Sequence, residues 1–197
     1  MKNLTTFLLG LTLIICMISQ GFAQAKWTID KSHTGVKFTV THLLISEVEG
    51  SFKSFTGSMT ASKPDFTDAQ IDFSVDVASV STDNEMRDNH LKSDDFFNAE
   101  KFPKMTFKSI SLKKLNEKKY ELTGDLTIRD ITKQVTFDVT YGGSITDSRG
   151  TKAGFKATTT INRLGYGLKW NKLTEAGGAM VSSDVNIIIT AEFAQQK

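Results

Sequence analysis

Apolar and polar side chains alternate one for one along most of this chain. Val36, Phe38 and Val40 are separated by Lys37 and Thr39, and Ile71, Phe73, Val75 and Val77 by Asp72, Ser74 and Asp76. The same rhythm runs through Tyr120, Leu122, Gly124, Leu126 and Ile128, then Val135, Phe137, Val139 and Tyr141. It returns in Ala153, Phe155, Ala157, Thr159 and Ile161, and in Val185, Ile187, Ile189, Ala191 and Phe193. A period of two puts alternate side chains on opposite faces of a strand, so each run predicts a strand with one apolar face. Strict alternation argues against a parallel sheet, whose strands lie between helices and are apolar on both faces. About eight antiparallel strands are expected.

Turn chemistry agrees with that count. Leu115-Asn116-Glu117-Lys118, Gly142-Gly143 and Asp147-Ser148-Arg149-Gly150 fall between alternating runs, where hairpin loops belong. Pro64 and Pro103 sit in loops or at strand edges, as a missing amide requires. The rhythm breaks after Ser81. Thr82 followed by Glu85 fits a capping box, which predicts a short helix carrying Met86, Arg87, Asp88, His90 and Leu91. A second break runs from Arg163 to Leu173, and Gly177-Gly178 predicts a loop beyond it.

A sandwich and a barrel share this alternation. The inward face carries Gly124, Ala153, Ala157 and Ala191 among large apolar residues, and such small side chains either fit the taper of a packed barrel or leave volume inside it. Both readings stay open on the pattern alone.

Residues 1–25 read as a secretory signal. Lys2 precedes an apolar run from Phe7 to Ile18, and Gly21-Phe22-Ala23 and Ala23-Gln24-Ala25 offer small-residue cleavage sites. The run is shorter than the ~20 residues a membrane span needs. Residues 26–197 are then one domain, expected in the periplasm or secreted. Cys16 is the only cysteine and departs with the signal, so burial and strand pairing must hold the domain together.

The formal net charge is +2, too balanced for a nucleic-acid partner, which needs a concentrated basic face. Lys113, Lys114, Lys118 and Lys119 do cluster. They read as a solvated hairpin tip, with a transient contact to an anionic membrane surface as the alternative. A homodimer is also compatible with the sequence.

Catalytic motifs are absent: the chain has no Gly-x-Ser-x-Gly elbow, no phosphate-binding Gly-Lys-Ser/Thr loop and no His-Glu-x-x-His. His33, His42 and His90 form no pair at metal-ligand spacing, so no metal and no cofactor are expected. Arg87 beside Asp88 and His90 admits two roles. Its fork could hold a phosphate-like head, or it could pair locally and fasten the helix. Phe96, Phe97 and Phe102 likewise either plug the barrel end or wall its entrance.

Arg87-Asp88-Asn89-His90-Leu91, Asp95-Phe96-Phe97, Phe102-Pro103 and Phe107-Lys108-Ser109 resemble the signature of the YceI-like family of polyisoprenoid-binding, lipocalin-like periplasmic proteins. Trp27-Thr28-Ile29-Asp30 with Ser32-His33, Gly50-Ser51-Phe52, Gly124 to Arg129, Asn162-Arg163 and Gly167 to Asn171 extend the likeness over nearly all of the mature chain. Asp130 departs from it, standing where a glycine is usual.

The resemblance implies an all-β protein, an eight-stranded antiparallel lipocalin-like barrel with one or two short helices. It implies a binding protein rather than an enzyme, with a long apolar isoprenoid-type lipid as partner, such as a polyprenyl phosphate or an isoprenoid quinone. Phe38, Val40, Phe73, Val75, Leu126, Phe137 and Phe155 are expected to enclose the tail, and Arg87, His90, Leu91, Phe96 and Phe97 to form the mouth. Two rivals remain: an enzyme acting on a lipid or quinone through one of the histidines, and a ligand-free stress-response barrel with a filled core.

Overall fold

The computed structural model describes residues 24–175 and 177–196, so the N-terminal apolar run lies outside the described residues. The strands are β1 (Ala25–Ile29), β2 (Gly35–His42), β3 (Ser46–Phe52), β4 (Phe55–Ala61), β5 (Gln70–Asp76), β6 (Val80–Ser81), β7 (Lys104–Lys114), β8 (Lys119–Ile128), β9 (Ile131–Asp147), β10 (Gly150–Asn162) and β11 (Val181–Gln195). The six alternating runs fall in β2, β5, β8, β9, β10 and β11, except that Val77 lies just past β5. Helix α1 (Glu85–Lys92) lies between β6 and β7, and single 3-10 turns occupy Val77–Ser79 and Arg163–Tyr166.

These strands fill eight positions. β1 pairs with β4 and β2 with β3, so β1–β2 and β3–β4 are two long bent strands of one hairpin. β5 pairs with β4 and β6 with β3, which makes β5–β6 the third position. β7 to β11 follow in order, each antiparallel to its predecessor, and β11 pairs back onto β1 and β2. The result is a closed up-and-down antiparallel barrel of eight strands. Closure pairs the edge strands with each other, so the sheet needs no covering helix.

Gly142-Gly143 does not turn the chain. β9 continues through it to Asp147, and the pairing with β10 slips between Gly154 and Phe155, leaving Gly142 as the extra residue of a bulge. Gly143 has φ 113°, a value that only glycine adopts readily. The pair bends a strand rather than ending it. Asp130 is no obstacle to its turn either, because the left-handed residue between β8 and β9 is Arg129 at φ 58°.

The two ends of the barrel differ. At one end the 62–69 loop folds inward and places Phe66 beneath the strands, 4% exposed, edge-on to Trp27 at 5.5 Å and to Phe155 at 5.4 Å. Tyr141 packs on both Phe66 and Phe155. This aromatic cluster forms a floor. At the opposite end stand α1, the 93–103 loop and the segment from Arg163 to Met180.

Candidate functional site

Helix α1 starts later than the sequence suggests. Asn84, not Thr82, is its N-cap, with Oδ1 accepting from the Arg87 amide at 3.0 Å. Thr82 is buried and bonds elsewhere, its amide and hydroxyl both donating to Asp88 Oδ1, at 2.8 and 2.6 Å. Arg87 completes the cluster, donating from Nε to the Thr82 hydroxyl at 2.7 Å and from Nη2 to the Thr82 carbonyl at 2.8 Å. No side chain of the helix is fully buried, so these bonds tie it to the end of β6.

Two further arginines secure the same end. Arg129 donates from Nη1 to the carbonyls of Asp94, Phe96 and Gly167 and from Nη2 to the Asp94 carboxylate at 2.8 Å. Arg163 is 3% exposed and donates to the carbonyls of Ser182, Leu168, Trp170 and Val181, at 2.8 to 3.1 Å. Burial holds its pKa below the ordinary guanidinium value. Together they fix the loops over the barrel end. Phe96 stacks on Trp170 at 5.7 Å, His90 sits edge-on to both, and His90 Nε2 lies 2.9 Å from Asp95 Oδ2.

Between this end and the aromatic floor lies a cavity of about 360 Å³, within the ~300–1,000 Å³ range of small-molecule sites. All seven residues expected around a tail (Phe38, Val40, Phe73, Val75, Leu126, Phe137 and Phe155) line it, and so do all five expected at the mouth (Arg87, His90, Leu91, Phe96 and Phe97). Along β11 the lining runs from Val181 to Phe193, a length of ~40 Å at the strand rise and ~30 Å along a barrel axis tilted as usual. Aliphatic and aromatic side chains make most of the wall. His42, Thr82, Arg87, His90 and Arg163 lie at the α1 end, so most of the wall's polarity gathers there, with Lys37 and Thr106 as its other polar residues.

Gly124 does not supply the space. A β-carbon there would fall 2.4 Å from the Phe107 ring and 2.5 Å from the Lys108 carbonyl, because Phe107 lies across it. Phe38 covers Gly50 and Phe73 covers Gly57 in the same way. Of the small inward residues, Ala157 and Ala191 line the cavity, whereas Ala153 is packed into the core.

The three histidines lie in different settings. His33 is in the turn after β1, 3.1 Å from Asp30 Oδ2 and 3.7 Å from Glu192 Oε1. These three could face a cation, but Lys152 Nζ already lies 2.9 Å from Asp30 and 2.7 Å from Glu192. The Lys152 ammonium, with His33 and the Ser32 amide, holds the Asp30 carboxyl well below the usual range. His42 and His90 line the cavity, and His90 is engaged by Asp95.

Sequence reasoning missed Arg163 and Trp170 as wall residues, and Arg129 as the fastener of the loop. The available signal was a charged residue at each break in the alternation: Arg129 between two strands, and Arg163 where the second break begins. The fastening considered for Arg87 is shared among all three arginines.

A closed antiparallel barrel with an apolar interior cavity and most of its polar groups at one end defines the class of small ligand-enclosing barrels. The model of the YceI-like domain matches residues 27–193, and the chain belongs to the YceI-like family. A UPF0312 protein of Staphylococcus aureus (strain N315) is 39% identical over 173 residues, covering 87% of this chain and 98% of the relative. The YCEI protein of Campylobacter jejuni has a TM-score of 0.67 at 33% identity, over 80% of this chain and 90% of that one. A polyisoprenoid binding domain from Saccharophagus degradans shares the fold, with a TM-score of 0.62 at 12% identity over 86% of this chain and 98% of its own.

Proposed function

We propose that this protein captures a long-chain lipid by enclosing its apolar tail in the barrel, and that it carries or sequesters that lipid without chemical change. The observation that carries the reading is the form of the cavity: a long apolar bore with most of its polar residues gathered at one end. That form complements an amphiphile. Each methylene moved from water into the bore is worth about 0.8 kcal/mol, so the tail supplies the affinity and no reactive group is required.

Phe38, Val40, Phe73, Val75, Leu126, Phe137 and Phe155 hold the tail, and Arg87, His90, Leu91, Phe96 and Phe97 surround the head. The polyisoprenoid ligand named for the Saccharophagus domain, taken with the family membership, favours an isoprenoid tail, as in a polyprenyl phosphate or an isoprenoid quinone. The protein acts in the periplasm or outside the cell after loss of its N-terminal segment. β1 begins at Ala25, so cleavage after Ala23 leaves that strand whole.

Loading from a membrane takes place at the α1 end. The basic hairpin at Lys113–Lys119 stands at the floor end, whereas Leu44 and Ile45, in the β2–β3 turn at the α1 end, are 71% and 85% exposed.

The test is to purify the protein from its native host without detergent, extract it with organic solvent and identify bound lipid by mass spectrometry. An isoprenoid lipid near one per protein is expected. Lipid-free protein that also fails to take up an apolar fluorescent probe would refute the reading.

A further inference from the structure

The chain has four arginines, and the structure divides them. Arg129 pairs with Asp94 at 2.8 Å and Arg149 with Asp147 at 2.9 Å. Neither lines the cavity. Arg87 and Arg163 do line it, and among the described residues neither has a carboxylate within salt-bridge distance. Two acids at that end are already engaged: Asp88 Oδ1 accepts twice from Thr82, whose hydroxyl also serves Arg87, and Asp95 Oδ2 lies on His90. Asp184, opposite Asn162 across β10 and β11, is exposed and makes no salt bridge among the described residues. His42 and Lys37 are the remaining titratable groups of the wall, and Lys37 is paired with Glu49 at 2.8 Å.

Arg163 is the telling case. A buried charge is normally paired, yet among the described residues this guanidinium meets only four neutral carbonyls. They occupy four of its five N–H donors and leave one on Nη2, with the full positive charge uncompensated. We propose that the cavity selects amphiphiles with an anionic head, a phosphate or a carboxylate, and that Arg163 supplies the counter-charge, with Arg87 as a second cation in the same cavity wall.

The inference rests on the lipid-enclosing reading above and narrows it from any polar head to a charged one. Its energetic basis is that folding has already removed Arg163 from water. An anion arriving there gains the attraction of a poorly screened cation while only its own hydration is lost. A neutral alcohol or quinone head has no charge to offer it.

The experiment uses lipid-stripped protein and three probes with one tail, hexadecyl phosphate, hexadecanoate and hexadecanol, each displacing the same apolar fluorophore. Hexadecyl phosphate and hexadecanoate should bind at least about tenfold more tightly than hexadecanol, the lower end of what a charge-assisted hydrogen bond provides. Arg163→Gln should bring the ratio of hexadecyl phosphate to hexadecanol affinity down to about one, whatever hexadecanol affinity the variant keeps, and Arg149→Gln should keep the wild-type order. Equal or tighter binding of hexadecanol by the wild type overturns the proposal.

Failure of all three probes to displace the fluorophore refutes the lipid-enclosing reading instead, and the charged-head assignment falls with it. Inorganic phosphate binding as tightly as hexadecyl phosphate would mark a site for the free ion and overturn the assignment to a lipid head. Because Arg163 also ties down backbone, a second measurement needs no variant. The phosphorus resonance of bound hexadecyl phosphate, followed against pH, should titrate at lower pH than in solution, since a neighbouring cation favours the dianion. An unshifted titration overturns the proposal.

Discussion

Replacing Ala157 with phenylalanine sets a packed barrel against a ligand-enclosing one, because the two give opposite signs. Ala157 lies on β10 between Val139 of β9 and Ile189 of β11, with its side chain in the cavity wall. In a filled core a phenyl ring overpacks and costs about 1–3 kcal/mol. Beside a cavity of about 360 Å³ the ring has room, and burying it contributes about 1.5–3 kcal/mol. Each kcal/mol shifts Tm by about 2–4 °C in a domain of this size, so calorimetry on lipid-stripped protein should show Ala157→Phe melting several degrees above the wild type. The ring also takes space from the tail. If it displaces about four methylenes the lipid loses ~3 kcal/mol, more than 100-fold in Kd. A variant that melts lower and binds lipid as the wild type does would show that the wall is already full at this point.

Two other changes probe the barrel itself. Asp30 has a folded-state pKa far below its unfolded one, with Lys152 as the main cause, so its contribution to stability is present above about pH 4 and is lost as the pH falls towards the depressed value. Asp30→Asn should therefore be less stable at neutral pH but lose less between about pH 5 and about pH 2, as read from urea midpoints; parallel pH profiles would refute the assignment. Gly124→Ala should cost about 1–3 kcal/mol by overpacking, since the Phe107 ring can shift but the Lys108 carbonyl cannot. Gly35→Ala, with nothing near its β-carbon, should be nearly neutral, and equal losses in chemical denaturation would contradict this account.

The alternation of Ile71, Phe73 and Val75 with Asp72, Ser74 and Asp76 was enough to set which face of that strand turns inward, because side-chain direction in a strand follows from a period of two and needs no knowledge of the neighbours. Repeated along the chain, it gave the antiparallel class and the expected number of strand positions. The helix after β6 was legible from its change of period. Its cap was not, since Thr82 and Asn84 are both good caps and only the folded chain shows Thr82 engaged by Asp88 and Arg87.

Tertiary structure alone decided where the barrel is filled. Gly124 could be read as spare volume or as packing, and the ring that covers it comes from the neighbouring strand, so the space at one position is settled by residues distant in sequence. The cavity lies instead beside Ala157 and Ala191. The same holds for charge. Arg163 read as one basic residue at a break in the pattern, and only the packing of residues 168–170 and 181–182 around it shows a buried guanidinium with no counter-ion among the described residues. Periodicity is a local property and can be read along the chain, whereas cavity volume and charge compensation are sums over neighbours that only the closed barrel brings together.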